Sequence, residues 1–177
     1  NKKKHTLRTS YSERKFPDYN SDVAILVEQA KKYLGNDKTA EAEDALKTVL
    51  VLEPENKTAL SLLGWIFFRT GRYKDAEHIF RRLAAIDKFG NPVSLNKLAS
   101  ALAKNGNLVE AADLCSKAEA LDPTLSEIYL NASAIFAAMG DGEKAIRNME
   151  KAYGLLGRGI LPYCVDPVFD KVRVLPQ

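Results

Sequence analysis

The sequence predicts an all-helical solenoid of four helix-turn-helix units, and two observations carry that prediction. Small residues recur at a nearly constant interval, and the apolar residues between them follow a helical period. Ala42, Ala76, Ala111 and Ala145 stand 34, 35 and 34 residues apart. Gly71, Gly106 and Gly140 each lie five residues before such an alanine, and Asp37 takes that place in the first unit. A fixed period of this length means stacked supersecondary units, since one unit cannot bury its apolar face alone.

The elements follow in chain order. Residues 1–20 carry Lys2, Lys3, Lys4, Arg8, Arg14 and Lys15 against Glu13 and Asp18, a local charge of +4. With Pro17 and few aliphatic residues, they read as a basic flexible arm. Units are expected at about 23–56, 57–91, 92–125 and 126–157. In the second unit, Leu60, Leu63, Gly64 and Phe67 share one face of a first helix. Leu95, Leu98, Ala99 and Leu102 repeat that face, and so do Tyr129, Ala132, Ser133 and Phe136. Ala76, Phe80 and Leu83 form the inner stripe of a second helix, matched by Ala111, Cys115 and Ala118 and by Ala145, Met149 and Ala152. The small residues let two helix backbones approach while large neighbours fill the groove. The glycines suit a tight turn that needs positive φ. Pro54 and Pro123 close two units, and Asn91 reads as a one-residue insertion behind the single interval of 35. Residues 158–177 are expected to form a short capping segment. Asp166-Pro167 is a helix-start signal, and Leu161, Tyr163, Val168, Phe169 and Val172 are too apolar to stay in water.

Length and composition exclude other classes. The 177 residues are 46% apolar and 28% charged, ordinary for one globular domain. No apolar run reaches the roughly 18 residues of a membrane span, and the first twenty residues lack a secretory core. The chain opens at Asn1 rather than Met, which reads as a fragment or processed form. Cys115 and Cys164 cannot build a disulfide framework, so reduced thiols and a cytoplasmic location are expected, with a single bridge between the two as the alternative. The body outside the arm sums to −1, unlike a nucleic-acid binder with a basic folded face.

The large-small-large pattern at period 34, best carried by Leu63-Gly64, Phe67, Gly71-Arg72-Tyr73, Ala76, Phe80 and Ile86-Asp87, resembles the tetratricopeptide repeat family. The first unit departs from the pattern, with Gln29 in place of a leucine and the turn Gly35-Asn36-Asp37, as suits a terminal repeat. Val165 to Arg173 is similar to the tail that closes many bacterial members, a short helix laid on the last repeat. The resemblance implies a right-handed superhelix whose concave side is lined by the first helices. On that reading the groove residues are Lys31, Ser61, Trp65, Phe68, Arg69, Asn96, Ser100, Lys104, Leu130 and Ala134, with Val27, Leu34, Thr58, Val93, Ala103, Glu127, Ala137 and Ala138 around them. Members that grip the C-terminal carboxylate of heat-shock chaperones use Lys, Asn and Arg side chains on successive first helices. The matching places here carry Val27, Lys31, Leu62 and Asn96, so that clamp is not assembled and this partner is not expected.

No catalytic chemistry is legible. His78 falls on an outward helical face, and His5 lies in the arm. No phosphate-cradling glycine loop, zinc spacing or calcium loop occurs; no metal or cofactor is expected, and the chain is read as a non-enzyme. Trp65 and Phe68 lie outside a core stripe already filled by Leu60, Leu63 and Phe67, and Trp and Arg are enriched at interface hot spots. The expected function is therefore a protein-interaction scaffold that holds a peptide or helix of a partner in the groove. Two alternatives stand beside it. Gly71-Arg72-Tyr73, Asp75-Ala76 and Ile79-Phe80 also resemble repeats of bacterial secretion-type chaperones. Lys2, Lys3, Lys4 and Arg8 could tether nucleic acid or an anionic membrane by counterion release, although the arm lacks aromatic interleaving except Tyr11, Phe16 and Tyr19.

Overall fold

The structure is a computed structural model and describes residues 19–157. Eight helices follow one another: α1 Tyr19–Gly35, α2 Thr39–Leu52, α3 Lys57–Arg69, α4 Tyr73–Ile86, α5 Pro92–Lys104, α6 Leu108–Leu121, α7 Ser126–Met139 and α8 Gly142–Leu156. Each helix packs on the next, and α5 also touches α7 directly. Among the described residues there is no strand. This is the four-unit all-α solenoid the repeat predicts. α1 opens at Tyr19, inside the segment read as arm. The expected capping segment, 158–177, lies outside the described residues, as does the rest of the arm.

The turn inside each unit has one construction. Arg72 N–H donates to Phe67 O at 2.8 Å and Gly71 N–H to Phe68 O at 3.2 Å. The pair recurs as Asn107 to Leu102 with Gly106 to Ala103, and as Asp141 to Phe136 with Gly140 to Ala137. In the first unit it is Lys38 to Tyr33 with Asp37 to Leu34. This double bond satisfies the last helical carbonyls and requires a left-handed residue at its centre. Gly71, Gly106 and Gly140 supply it at φ 76°, 88° and 83°, and Asp37 does so at 57°.

Turns between units differ by one residue. Four residues, 53–56 and 122–125, join α2 to α3 and α6 to α7, whereas five, 87–91, join α4 to α5. The extra residue is absorbed by Lys88 and Phe89, both at positive φ, and Asn91 restarts the helix. Its Oδ1 accepts from Val93 N–H at 2.9 Å and Ser94 N–H at 3.2 Å, with Pro92 in the first turn. Asn56 caps α3 in the same manner through Ala59 N–H.

Ala42, Ala76 and Ala111 are fully buried and Ala145 nearly so. Each marks the close approach of a helix pair. Gly64 marks another such point: a Cβ there would lie 2.4 Å from Phe80 Cε1. Ser133 stands in the equivalent place of the fourth unit, and its hydroxyl donates to Ala145 O at 2.6 Å. One core runs without a break from Val23 to Ile135, as expected when each interface buries the face its neighbour leaves open. Ion pairs add a second stitch between units, as in Arg72–Glu43, Arg81–Glu110 and Lys151–Glu119. At such exposure each is worth about 0–1 kcal/mol, so they fix register more than they stabilise.

Candidate functional site

The first helices α3, α5 and α7 form one wall in which side chains of adjacent units meet. Asn131 on α7 donates through Nδ2 to Asn96 Oδ1 at 2.8 Å and to Ser100 Oγ at 2.7 Å, both on α5. Lys97 on α5 stands 34 residues before Asn131, in the equivalent place of its unit. Its Nζ donates to Ser61 Oγ on α3. In the third and fourth units this position therefore reaches back to the unit before it. The ammonium of Lys97 is partly withdrawn from water, and burial holds its pKa below the ordinary lysine value.

Beside this polar seam a cleft of about 140 Å³ is lined by Phe68, Ser100, Ala103, Lys104, Leu108, Asn131, Ala134, Ile135 and Ala138. Phe68 forms its α3 wall and is held edge-on against Tyr73, with ring centroids 5.4 Å apart. Small residues on α7 leave the opening: Ala134 and Ala138 stand one turn apart, where larger side chains would close it. Trp65, 40% exposed, lies on α3 outside the cleft, with the Arg69 guanidinium 4.9 Å from its ring centroid. Such stacking stabilises by about 0.5–1 kcal/mol at an exposed site and limits the motion of both groups.

The structure thus brings together Phe68, Ser100, Lys104 and Ala134 from the residues singled out in the sequence, with Ala103 and Ala138 from those around them. Trp65 and Arg69 form an adjacent pair. Ser61 is engaged by Lys97, and Asn96 is buried and bonded to Asn131. Lys31 pairs with Glu28 on its own helix at 2.6 Å. Leu130 packs beside Tyr129 and Ala152 rather than into the cleft. Val27 and Ala137 are buried, because the packing face of each first helix is wider than one stripe; Ala137 meets Ala145. The sequence reading did not name Lys97, Leu108, Asn131 or Ile135 among the groove residues. The available signal was the position that reads Leu62, Lys97 and Asn131 in successive units, apolar once and polar twice.

His78 is exposed. Cys115 is buried and its thiol is pushed up to about 12, chiefly by burial, which leaves it an inert apolar group. Among the described residues no cluster of three His, Cys, Asp or Glu side chains could hold a metal ion, and no helix is long and apolar enough to cross a membrane.

Fold and wall together define a helical-repeat protein with a lined cleft on its first-helix face. The family model for the tetratricopeptide repeat matches residues 27–91 and 84–126, more than half of the 177 residues, and the chain belongs to that family. Two relatives match over part of the chain. The TPR repeat-containing thioredoxin TTL4 of Arabidopsis thaliana is 26% identical over 102 residues, 58% of this chain and 15% of that protein. The human protein O-mannosyl-transferase TMTC1 is 31% identical over 96 residues, 54% of this chain and 11% of that one. This chain therefore spans a small part of either relative. Among solved structures, a crystal structure of MamA covers 86% of this chain and 80% of its own, with a TM-score of 0.72 at 22% identity. YrrB, described as a TPR protein with an unusual peptide-binding site, covers 80% of this chain and 73% of its own, with a TM-score of 0.69 at 21% identity. At these identities the likeness is one of fold.

Proposed function

We propose that this chain is a non-catalytic interaction scaffold whose first-helix face takes up a peptide or helix of a partner protein. The observation that carries the reading is the cleft walled by Phe68, Lys104, Asn131 and Ala134, with the exposed Trp65–Arg69 pair beside it. An aromatic group left outside a filled core, next to a concave apolar surface, is the arrangement found where binding energy concentrates. A peptide-binding site in YrrB, which shares the fold, supports the same use here.

The reading is tested by affinity capture with the wild-type chain, Trp65→Ala, and Ala138→Trp, which fills the mouth of the cleft. A set of proteins retained by the wild type and lost with both variants supports it. Capture of the same proteins by all three chains overturns it.

A further inference from the structure

The charge on α3 and α5 is one-sided, whereas α7 carries Glu127 and α1 carries Asp22 and Glu28 beside Lys31 and Lys32. α3 and α5 together carry Lys57, Arg69, Lys97 and Lys104 and no carboxylate at all. Lys57 is neutralised by Asp87 at 2.5 Å. Among the described residues, none of the other three meets a carboxylate. Arg69 stacks on Trp65, Lys97 donates to Ser61, and Lys104 lines the cleft. On the second helices Lys47, Arg81, Lys144, Arg147 and Lys151 each pair with an acidic side chain, while Arg82 donates to Pro54 O and Lys117 lies over the Phe89 ring. Three cations that meet no carboxylate among the described residues, next to a cleft, attract a negatively charged occupant and raise its rate of arrival.

The spacing refines that occupant. Lys97 and Lys104 are seven residues apart on α5 and so share a face, about 10 Å apart along the axis. An extended or polyproline-like chain rises about 3.1–3.3 Å per residue, so carboxylates three residues apart would reach both. The cleft volume of about 140 Å³ is close to the roughly 150 Å³ that holds a benzene ring, and its walls at Phe68, Ala103, Leu108 and Ile135 are apolar. It suits one Phe or Leu side chain.

The chain's own ends do not match this chemistry. Residues 1–18 sum to +4, and residues 158–177 hold Arg158, Lys171 and Arg173 against Asp166 and Asp170, a sum of +1. The negative charge therefore comes from neither of these segments.

We propose that the occupant is an extended acidic segment of a partner protein, with one Phe or Leu seated between α3, α5 and α7 and carboxylates meeting Lys104 and Lys97. This rests on the reading of the first-helix face as a binding groove, and it adds the chemistry of what binds there.

The test uses the full chain and four labelled probes followed by fluorescence anisotropy. One is a synthetic peptide with a central Phe and Asp or Glu residues three apart. The others are its Asn/Gln isostere, its Lys counterpart, and a single-stranded oligonucleotide of matched negative charge. Because Trp65 is the only tryptophan, its emission reports independently whether a probe reaches this face. The expected result is that the acidic peptide binds at least about tenfold more tightly than its isostere, the loss of one charge-assisted contact. The gap should close at high salt and in Lys104→Gln. Lys104 is exposed, so that variant keeps the fold; Lys97→Gln should act likewise if its melting curve is unchanged. Equal binding of all three peptides, lost in Trp65→Ala, overturns the acidic preference and leaves the groove standing. Acidic binding that no substitution on this face alters, with Trp65 emission unchanged, overturns both. An oligonucleotide that binds as tightly as the acidic peptide, or no binding of any probe, overturns the proposal.

Discussion

Gly64→Ala places two opposing effects on one atom. In an exposed helix interior the change would stabilise, since glycine is about 1 kcal/mol worse than alanine there. At Gly64 the added Cβ would stand 2.4, 2.7 and 2.9 Å from three carbons of the Phe80 ring, where carbon pairs prefer about 3.5–4.0 Å. Phe80 is 3% exposed and has no solvent to swing into, so α3 and α4 must separate or the ring must leave its rotamer. Overpacking of this kind costs about 1–3 kcal/mol, which exceeds the helix-propensity gain. A net loss of up to about 2 kcal/mol is expected, at about 2–4 °C of melting temperature per kcal/mol for a chain of this size. The first unit shows how to relieve it, because it places Ala30 and Leu46, both fully buried, where the second has Gly64 and Phe80. Gly64→Ala/Phe80→Leu should therefore be more stable than the sum of its single changes by about 1–2 kcal/mol, as coupled neighbours are. Urea unfolding followed by far-ultraviolet circular dichroism measures all four proteins of the cycle. A Gly64→Ala variant that melts above the wild type, or strictly additive changes, would refute the close approach of α3 and α4.

Three further outcomes are expected. Asp37→Gly should raise stability by about 0.5 kcal/mol, because φ of 57° strains any residue with a Cβ and glycine's larger unfolded entropy offsets only part of that; a lower urea midpoint would contradict it. Asp87 accepts from Lys57 at 2.5 Å and from Ser94, and these bonds hold its carboxyl below the ordinary aspartate value of 3.8. A depressed folded pKa gives stability that is present above the unfolded value and lost as pH falls through the folded one. Asp87→Asn should therefore cost about 1.5–3 kcal/mol at neutral pH and much less in acid, and a gap that is constant with pH in denaturant titrations would exclude the mechanism. Ile146, Tyr153 and Leu156 are exposed on α8, and no ninth helix covers them among the described residues. Removing residues 158–177 should lower the melting temperature and promote self-association in sedimentation; a truncated chain that stays monomeric and melts like the full one would show that the segment is no cap.

The sequence by itself determined the repeat fold, the number of units and the small residues at the helix contacts. Ala42, Ala76, Ala111 and Ala145 were legible because a close backbone approach tolerates only small side chains, so packing writes itself into the sequence at a fixed period. Asp37 was legible as a turn residue for the same reason, since the double carbonyl bond forces one left-handed position per unit. The cleft was only half legible. Helical register placed Phe68, Ser100, Lys104 and Ala134 on the first-helix face, because facing is set by the 3.6-residue turn alone. Which of the other first-helix side chains are free was decided by neighbours 31–36 residues away, as when Lys97 takes up Ser61 and Asn131 takes up Asn96 and Ser100. A side chain's register says where it points. Its partner depends on how far adjacent units rotate and slide against each other, which is fixed by the shapes of many core residues acting together, and only the tertiary structure reveals it.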